Sequence, residues 1–330
     1  MKPRALMVCS ELPYPHVVGG YERMLVDFEE HVFDDFDVYF LLCRRKSPRG
    51  LFHRGRRLDV RLDLDTLLAY DFRFAFIIRS DIDLDAPRFV APLIARIPSF
   101  CFVERHPHRL VRDDRFRGVL THRTARSHGD VLTIGGGYDP AVFRPPPSER
   151  HEQPFVLSVG RIHPRKNQLE LVRNYRARIY DRFGLPLLLA GGSAHDRYFR
   201  EVLRHVDGDA VRATFSAAAD GWRRSREIAD LCHRARFFVM PSPRETFCIA
   251  LIEALACGAT GVVNGHYGGF DARDLRPRVV GPVTGKRGSI LDVLERAIAN
   301  DVRIDASAWA AKYALPATKE KVMGFIRPRM

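Results

Sequence analysis

The fold class of this chain is most evident in one segment, Pro241-Ser-Pro-Arg-Glu-Thr-Phe-Cys-Ile-Ala-Leu-Ile-Glu-Ala-Leu-Ala-Cys-Gly258. It follows a short apolar run, Phe237–Met240, which is typical of a buried strand. Its second half predicts a helix that is apolar on nearly all sides and is therefore buried. Strand, loop and buried helix in this order are the repeating unit of a parallel sheet that helices cover.

Strand-like and helix-like segments alternate on both sides of this stretch. A first series begins at Ala5–Ser10 and reaches Ser99–Val103, and a second restarts at Phe155–Val159. Glycines and prolines at residues 134–147 mark a turn and a stiff linker between the two series. The sequence therefore predicts an α/β protein of two doubly wound domains, residues 1–147 and 148–310. It also predicts a terminal helix over Ala306–Ile326, interrupted near Pro316.

Two glutamates in the quoted stretch are candidates for ligand binding. Glu245 lies at the predicted helix entrance, where free backbone N–H groups suit an anion such as a phosphate. Glu253 lies about two turns further into a buried helix, where a carboxylate is costly unless hydrogen-bond donors reach it. The hydroxyls of a nucleotide ribose would do this, and an arginine partner is the alternative.

Two further segments have a composition that suits phosphate. Gly160 and Arg161 end the strand Phe155–Val159 and Lys166 follows, which places two cations where ligands bind in open α/β sheets. A solvated basic loop is the alternative. Gly19 and Gly20 open the first long helix, and paired glycines let a backbone approach a ligand closely.

Taken together, these motifs resemble glycosyltransferase family 4, whose members are retaining enzymes with the GT-B fold. The resemblance rests on Glu245 and Glu253 with Ala254-Leu-Ala-Cys-Gly258, on Gly160-Arg161 and Lys166, on Gly19-Gly20-Tyr-Glu22, on the glycine-rich linker, and on His266-Tyr-Gly-Gly269. It implies two Rossmann-like domains facing across a cleft: an acceptor-side domain and a nucleotide-sugar domain. For the helix at about 311–330, packing back on the first domain is one option.

The resemblance also implies roles for individual residues. Arg161 and Lys166 would hold the donor diphosphate, Glu253 would bind the ribose and Glu245 the transferred sugar. The remaining donor contacts would come from residues 19, 20, 160 and 246–248, which are Gly19, Gly20, Gly160, Thr246, Phe247 and Cys248. A histidine near the sugar is expected after a late strand of the first domain, and we choose His106, with His108 as the alternate. No metal and no cofactor is expected.

The sequence departs from the family pattern in two places. Thr246 and Cys248 stand where the family usually has glycine, and Gly135 and Gly136 replace the usual Pro-Asn of the linker. The extra side chains beside the sugar are expected to affect donor choice.

The charge of the chain predicts anionic partners. Lys and Arg number 53 against 40 Asp and Glu, and eight of the basic residues lie between Arg44 and Arg61. This segment could contact an anionic membrane surface, a phosphorylated glycan or DNA, or be a solvated flexible loop. No apolar run is long enough to span a membrane, and the six scattered cysteines are expected to be buried and reduced. We expect a cytoplasmic protein, with peripheral attachment at the inner face of the membrane left open.

The resemblance therefore predicts a retaining hexosyltransferase that uses a nucleoside-diphosphate sugar, with UDP or GDP as the leading bases. The expected acceptor is a hydroxyl of a glycan or lipid-linked intermediate in envelope or exopolysaccharide biosynthesis. Two alternatives stay open: a glycosyltransferase acting on modified DNA, and a non-catalytic nucleotide-sugar-binding protein of the same fold.

Overall fold

The computed structural model describes residues 1–12, 20–44, 47–79, 84, 89–103, 113–122, 130–146, 154–192, 196–215 and 225–330. The chain divides into two compact units. The first consists mainly of Met1–Pro15, Tyr21–Gly135 and Leu315–Met330, and the second includes Gly136–Ala314. The predicted boundary followed residue 147, whereas the observed division precedes it because Tyr138 and Phe143 are buried in the core of the second unit.

The first unit is built on an eight-stranded sheet in the order β4-β3-β2-β1-β5-β6-β7-β8. Its strands are β1 (Arg4–Cys9), β2 (Asp37–Arg44), β3 (Ser47–His53), β4 (Arg56–Arg57), β5 (Phe72–Arg79), β6 (Ser99–Val103), β7 (Gly118–Thr121) and β8 (Val131–Thr133). Its helices are α1 (Gly20–Asp27), which continues as a π-helical turn over Phe28–Val32, α2 (Leu64–Leu68) and α3 (Val90–Arg96). In β1, Leu6 and Val8 face one apolar cluster while Ala5, Met7 and Cys9 face another. Both faces of the sheet are therefore covered, as the continuous apolar run of β1 predicts.

The second unit is built on a six-stranded parallel sheet in the order β11-β10-β9-β12-β14-β16. Its strands are β9 (Phe155–Val159), β10 (Leu187–Gly191), β11 (Val211–Phe215), β12 (Ala235–Met240), β14 (Thr260–Val263) and β16 (Val279–Val280), and a separate pair is formed by β13 (Arg244–Glu245) and β15 (His266–Tyr267). Its helices are α4 (Gln168–Val172), α5 (Asp181–Phe183), α6 (Asp196–Leu203), α7 (Ser225–Arg234), α8 (Ile249–Ala256), α9 (Ala272–Leu275), α10 (Ile290–Ala299) and α11 (Ser307–Ala310). This strand order is that of a doubly wound, nucleotide-binding sheet.

Helix α12 (Leu315–Ile326) packs into the core of the first unit. Its residues Leu315, Val322 and Phe325 are buried there. The predicted interruption near Pro316 is confirmed: α11 and a 3₁₀ turn over Ala311–Tyr313 end at the extended residue Ala314, and α12 begins at Leu315. Pro316 occupies the first turn of α12, where a missing N–H is tolerated.

The Arg-rich segment is partly sheet. Strands β3 and β4 add to the edge of β2 in antiparallel fashion, so the loop alternative is wrong for Ser47–His53. Leu51 pairs with Leu41 and is fully buried, which gives the strand its register. Arg44 closes β2, and Arg45 and Lys46 lie outside the described residues.

The six cysteines are free thiols and all are buried, which confirms the prediction. No helix in the described ranges combines the length and the apolar character needed to cross a membrane.

Candidate active site

The strand order of the second unit reverses between β9 and β12, and the predicted site residues follow the carboxyl ends of these two strands. In open α/β sheets, ligands bind in the crevice that opens at such a reversal. Gly160 and Arg161 follow β9, and Pro241 begins the loop after β12 that reaches Glu245. Two segments that are far apart in sequence therefore meet at one edge of the sheet.

A salt bridge joins the two loops across this reversal. Lys166 Nζ lies 2.7 Å from Glu245 Oε1, with the lysine side chain 29% exposed and the glutamate side chain 10% exposed. Burial alone would lower the pKa of Lys166, but the Glu245 carboxylate outweighs burial and leaves the pKa above its usual value. The site therefore holds a firmly protonated ammonium beside a largely buried carboxylate.

The backbone of the first loop is fixed by close packing of two glycines. A Cβ on Gly191, at the end of β10, would lie 2.1 Å from the carbonyl oxygen of Gly160. No other residue type fits at position 191, where φ is +152°. Beside Gly160 itself no atom lies within 4 Å of a Cβ position, among the residues that the structure describes. The described part of the chain thus leaves space next to Gly160 for the approach of a ligand.

One side-chain amide and one backbone hydrogen bond hold the rest of this loop. Gln168 Nε2 donates to the carbonyl oxygen of Arg161 at 2.9 Å, and the Ile162 N–H donates to Gly192 O at 2.8 Å. Asn167 adopts the left-handed conformation, with φ of 58°, between the short 3₁₀ turn that carries Lys166 and helix α4. These contacts place Lys166 without using its ammonium group.

Arg161 is the second cation of the site. Its side chain is exposed, and within the described ranges it forms no salt bridge. Its positive charge acts on Lys166 and opposes the effect of Glu245. Arg161 is therefore available to an incoming anion, whereas Lys166 is already paired.

Glu245 is held by the small sheet that follows it. Strand β13 pairs with β15, and the Gly268 N–H donates to the carbonyl oxygen of Glu245 at 3.0 Å. Tyr267, which pairs with Glu245, is buried and donates its hydroxyl to Met240 O at 3.3 Å. The sequence indicated a helix entrance at Glu245, whereas the structure places it in a strand pair before the helix.

The entrance of α8 follows directly. Thr246 and Phe247 are half-buried, and Cys248 is the buried N-cap residue, whose side chain forms no capping hydrogen bond. Burial first, and then the Glu245 carboxylate, raises the pKa of Cys248 to about 12, so its thiol is neutral at ordinary pH. An uncapped helix N-terminus offers backbone N–H donors to an anion.

Glu253 lies on α8 and is 6% exposed. It lies among apolar neighbours such as Leu251, Leu255 and Ala256, as the sequence predicts. The structure therefore places Gly160, Arg161, Lys166, Glu245, Thr246, Phe247, Cys248 and Glu253 in the second unit, on the two loops at the reversal and the helix that follows.

Of the remaining predicted residues, the structure describes only Gly20. Gly20 is the first residue of α1 in the described chain, while Gly19, His106 and His108 lie outside the described residues. Sequence reasoning missed Gly191 and Asn167, which shape the cationic loop. The glycine pair after Leu185–Ala190 could have indicated the first, because a glycine at a strand end often marks a close backbone approach.

Comparison with known proteins finds similarity in the second unit. Residues 153–280 match the family model described as Glycosyl transferases group 1. One component of the human phosphatidylinositol N-acetylglucosaminyltransferase is 26% identical over 150 residues, which are 45% of this chain and 29% of the human protein. The matched region thus spans less than a third of that relative's length.

Solved structures resemble the whole chain in fold. An Anabaena protein, HepE, in complex with UDP has a TM-score of 0.69 at 16% identity, with 99% of this chain and 100% of that chain covered. AviGT4, a glycosyltransferase involved in avilamycin A biosynthesis, has a TM-score of 0.60 at 17% identity, with 99% and 97% covered. The lipopolysaccharide outer core galactosyltransferase WaaB has a TM-score of 0.61 at 14% identity, with 99% and 100% covered. The predicted GT-B fold is confirmed by these structures, and the match of residues 153–280 confirms the resemblance to glycosyltransferases of group 1.

Proposed function

We propose that this chain, a glycosyltransferase of the group 1 type, transfers a sugar from a nucleoside-diphosphate donor to an acceptor hydroxyl with retention of anomeric configuration. UDP- and GDP-sugars are the leading donors. The observation that carries the proposal is the pairing of Lys166 with Glu245 at the strand-order reversal of the second unit. One cation for the diphosphate and one carboxylate for sugar hydroxyls lie side by side where such folds bind nucleotides.

The charges of the site suit a leaving diphosphate. Arg161 is exposed and has no salt bridge in the described chain, so it binds the donor diphosphate before Lys166 does. Lys166 then exchanges the Glu245 carboxylate for a phosphate oxygen, which releases Glu245 to accept hydrogen bonds from the sugar. Both cations stabilise the negative charge that grows on the diphosphate as the glycosidic bond breaks. Because they supply this charge, we expect no metal requirement.

Helix α8 completes the donor site in this proposal. The backbone N–H groups at its entrance, near Phe247 and Cys248, face the phosphate, and the buried Glu253 accepts hydrogen bonds from the ribose hydroxyls. The acceptor hydroxyl attacks from the face that the diphosphate leaves, and a phosphate oxygen accepts its proton. No carboxylate nucleophile is needed, in contrast to glycoside hydrolases.

The acceptor side is proposed from chemistry rather than from a bound ligand. We take the acceptor to be a glycan or a lipid-linked intermediate, with a place in envelope or exopolysaccharide biosynthesis. Arg49, Arg54, Arg56 and Arg57 on the β3–β4 hairpin are exposed, so an anionic membrane surface or a phosphorylated acceptor is the partner that its charge fits.

A nucleotide titration with matched variants tests the donor site. The melting temperature is measured with UDP, GDP, ADP, CDP and dTDP for the wild type, Lys166→Ala and Arg165→Ala. Arg165 is the control because it is an exposed cation of the same loop whose side chain has no ion pair within the described residues. A ligand that binds only the folded state raises the melting temperature.

We expect a shift with one nucleotide that Lys166→Ala abolishes and Arg165→Ala retains. Equal loss in both variants would mean that only the net charge of the loop matters, and no shift in the folded wild type would refute the donor site. If the nucleotide binds but its sugar is neither transferred nor hydrolysed, the chain is a binding protein of the same fold.

A further inference from the structure

The ring of Phe247 lies between the two segments through which the chain enters and leaves the second unit. The chain enters at Gly136 and leaves at Ala314. Phe247 is two residues beyond Glu245 and directly precedes Cys248, the N-cap of α8. The helix entrance and the two crossing segments therefore meet at one aromatic side chain.

The entering segment approaches the ring so closely that any side chain at position 136 would displace it. A Cβ on Gly136 would lie 2.8 Å and 3.0 Å from two ring atoms of Phe247, and 2.9 Å from Ile249 Cγ1. Carbon atoms in contact are about 3.5–4.0 Å apart, so a methyl group here would displace the ring by about 0.7 Å or more. Gly136 does not have a positive φ, so alanine would add bulk without straining the backbone.

The leaving segment holds the ring from another side. Tyr313 meets Phe247 edge-on with ring centroids 5.5 Å apart, and Phe270 lies 4.6 Å from Phe247. The two segments are also bonded to each other, because the Tyr138 N–H donates to Tyr313 O at 3.3 Å. Trp309 extends the cluster, with its indole N–H bonded to Asp274 Oδ1 at 2.8 Å.

This packing substitutes for a helix cap. The Cys248 side chain makes no capping bond, so the direction of the first N–H groups of α8 depends on how the preceding residue is packed. We propose that Gly136 and Tyr313 are positioning residues that act through Phe247 and set the α8 entrance for the terminal phosphate of the donor. The proposal rests on the proposed function, since it concerns the same donor site.

The test compares a diphosphate with a monophosphate. Calorimetry measures the affinities of UDP and UMP, with GDP and GMP as the second pair, for the wild type and Gly136→Ala. Loss of one hydrogen bond from an amide to a charged phosphate weakens binding about tenfold. We expect Gly136→Ala to lose about that factor for the diphosphate and much less for the monophosphate. In the double variant Gly136→Ala/Phe247→Leu the ring that the methyl group would displace is absent. We expect this variant to recover part of the wild-type ratio of diphosphate affinity to monophosphate affinity.

Gly285→Ala is the matched control, because position 285 lies in the same unit, has no described atom within 4 Å of a Cβ and does not have a positive φ. It should leave both affinities unchanged. If Gly136→Ala does not fold, Tyr313→Leu relaxes the ring from the other side and should reduce the same ratio.

The outcomes separate the two proposals. A diphosphate-to-monophosphate ratio that stays at the wild-type value in the folded variants overturns the positioning role alone. A wild type that binds none of the nucleotides overturns the proposed function and this inference with it. A selective loss of the diphosphate, partly rescued by Phe247→Leu, supports both.

Discussion

Substitution of Lys166 should destabilise the second unit more than substitution of Glu245, its partner in the salt bridge. At 2.7 Å, two unit charges attract by about 1.5 kcal/mol in water and by about 6 kcal/mol at an effective permittivity of 20. Desolvation offsets much of the larger figure. We therefore expect a coupling free energy of about 2 kcal/mol, a value between those of surface ion pairs and of fully buried ion pairs. Lys166→Met leaves the more buried Glu245 carboxylate unpaired, whereas Glu245→Gln still offers Lys166 an amide oxygen. Lys166→Met is therefore the costlier change.

A double-mutant cycle measures this coupling. Urea unfolding of the wild type, Lys166→Met, Glu245→Gln and the double variant gives the four free energies. We expect losses of about 2–3 kcal/mol for Lys166→Met and about 1 kcal/mol for Glu245→Gln, with the double variant clearly less destabilised than their sum.

The control cycle uses a pair of similar length at the surface. Arg173 and Glu201 are 2.6 Å apart, but their side chains are 55% and 38% exposed, so Arg173→Met and Glu201→Gln should couple by less than about 1 kcal/mol. Additive effects at Lys166 and Glu245, or a larger loss for Glu245→Gln, would refute the reasoning.

Three further predictions follow from groups described by the structure. Burial lowers the pKa of His122 from 6.5 to about 4. Between these two pH values the imidazole of the unfolded chain is protonated while that of the folded chain is not. The free energy of unfolding should therefore fall by about 3 kcal/mol as the pH drops from above 6.5 to below about 4. Urea unfolding at several pH values should show this slope in the wild type and not in His122→Gln. All six thiols are buried, so Ellman's reagent should react slowly with the native protein. After denaturation it should react with six thiols per chain. If Arg161 and Lys166 provide the charge at the diphosphate, EDTA should leave sugar transfer unchanged, and a loss that magnesium restores would contradict this.

The alternation of apolar segments was enough to predict the fold, because strands buried on both faces leave continuous apolar runs. The runs at Phe155–Val159 and Phe237–Met240 correspond to β9 and the core of β12. Strand β3 escaped prediction, because the charges around Leu51 and Phe52 concealed its alternation. The chain division also differs from the prediction, since the glycine- and proline-rich linker gave no sign that Tyr138 and Phe143 are core residues of the second unit.

The candidate site was predictable to the extent that its residues follow strand ends. That rule brings Lys166 and Glu245 together, although 79 residues separate them. It says nothing about contacts between loops that are distant in sequence. A glycine at the end of β10 hints at the close approach of Gly191 to another backbone, but no local pattern encodes the packing of Gly136 against Phe247.

The placement of α12 has a consequence for synthesis on the ribosome. Residues Leu315–Ile326 supply buried side chains to the first unit, where Phe325 lies beside Phe100 and fills the space above Gly118. Ion pairs join Lys319 of the same helix to Asp34, and Arg327, directly after the helix, to Asp35. The first unit therefore stays incomplete until Leu315–Ile326 has been synthesised. The second unit, Gly136–Ala314, has all its segments before then and can fold. During that interval the exposed apolar face around Phe100 is a natural target for chaperones.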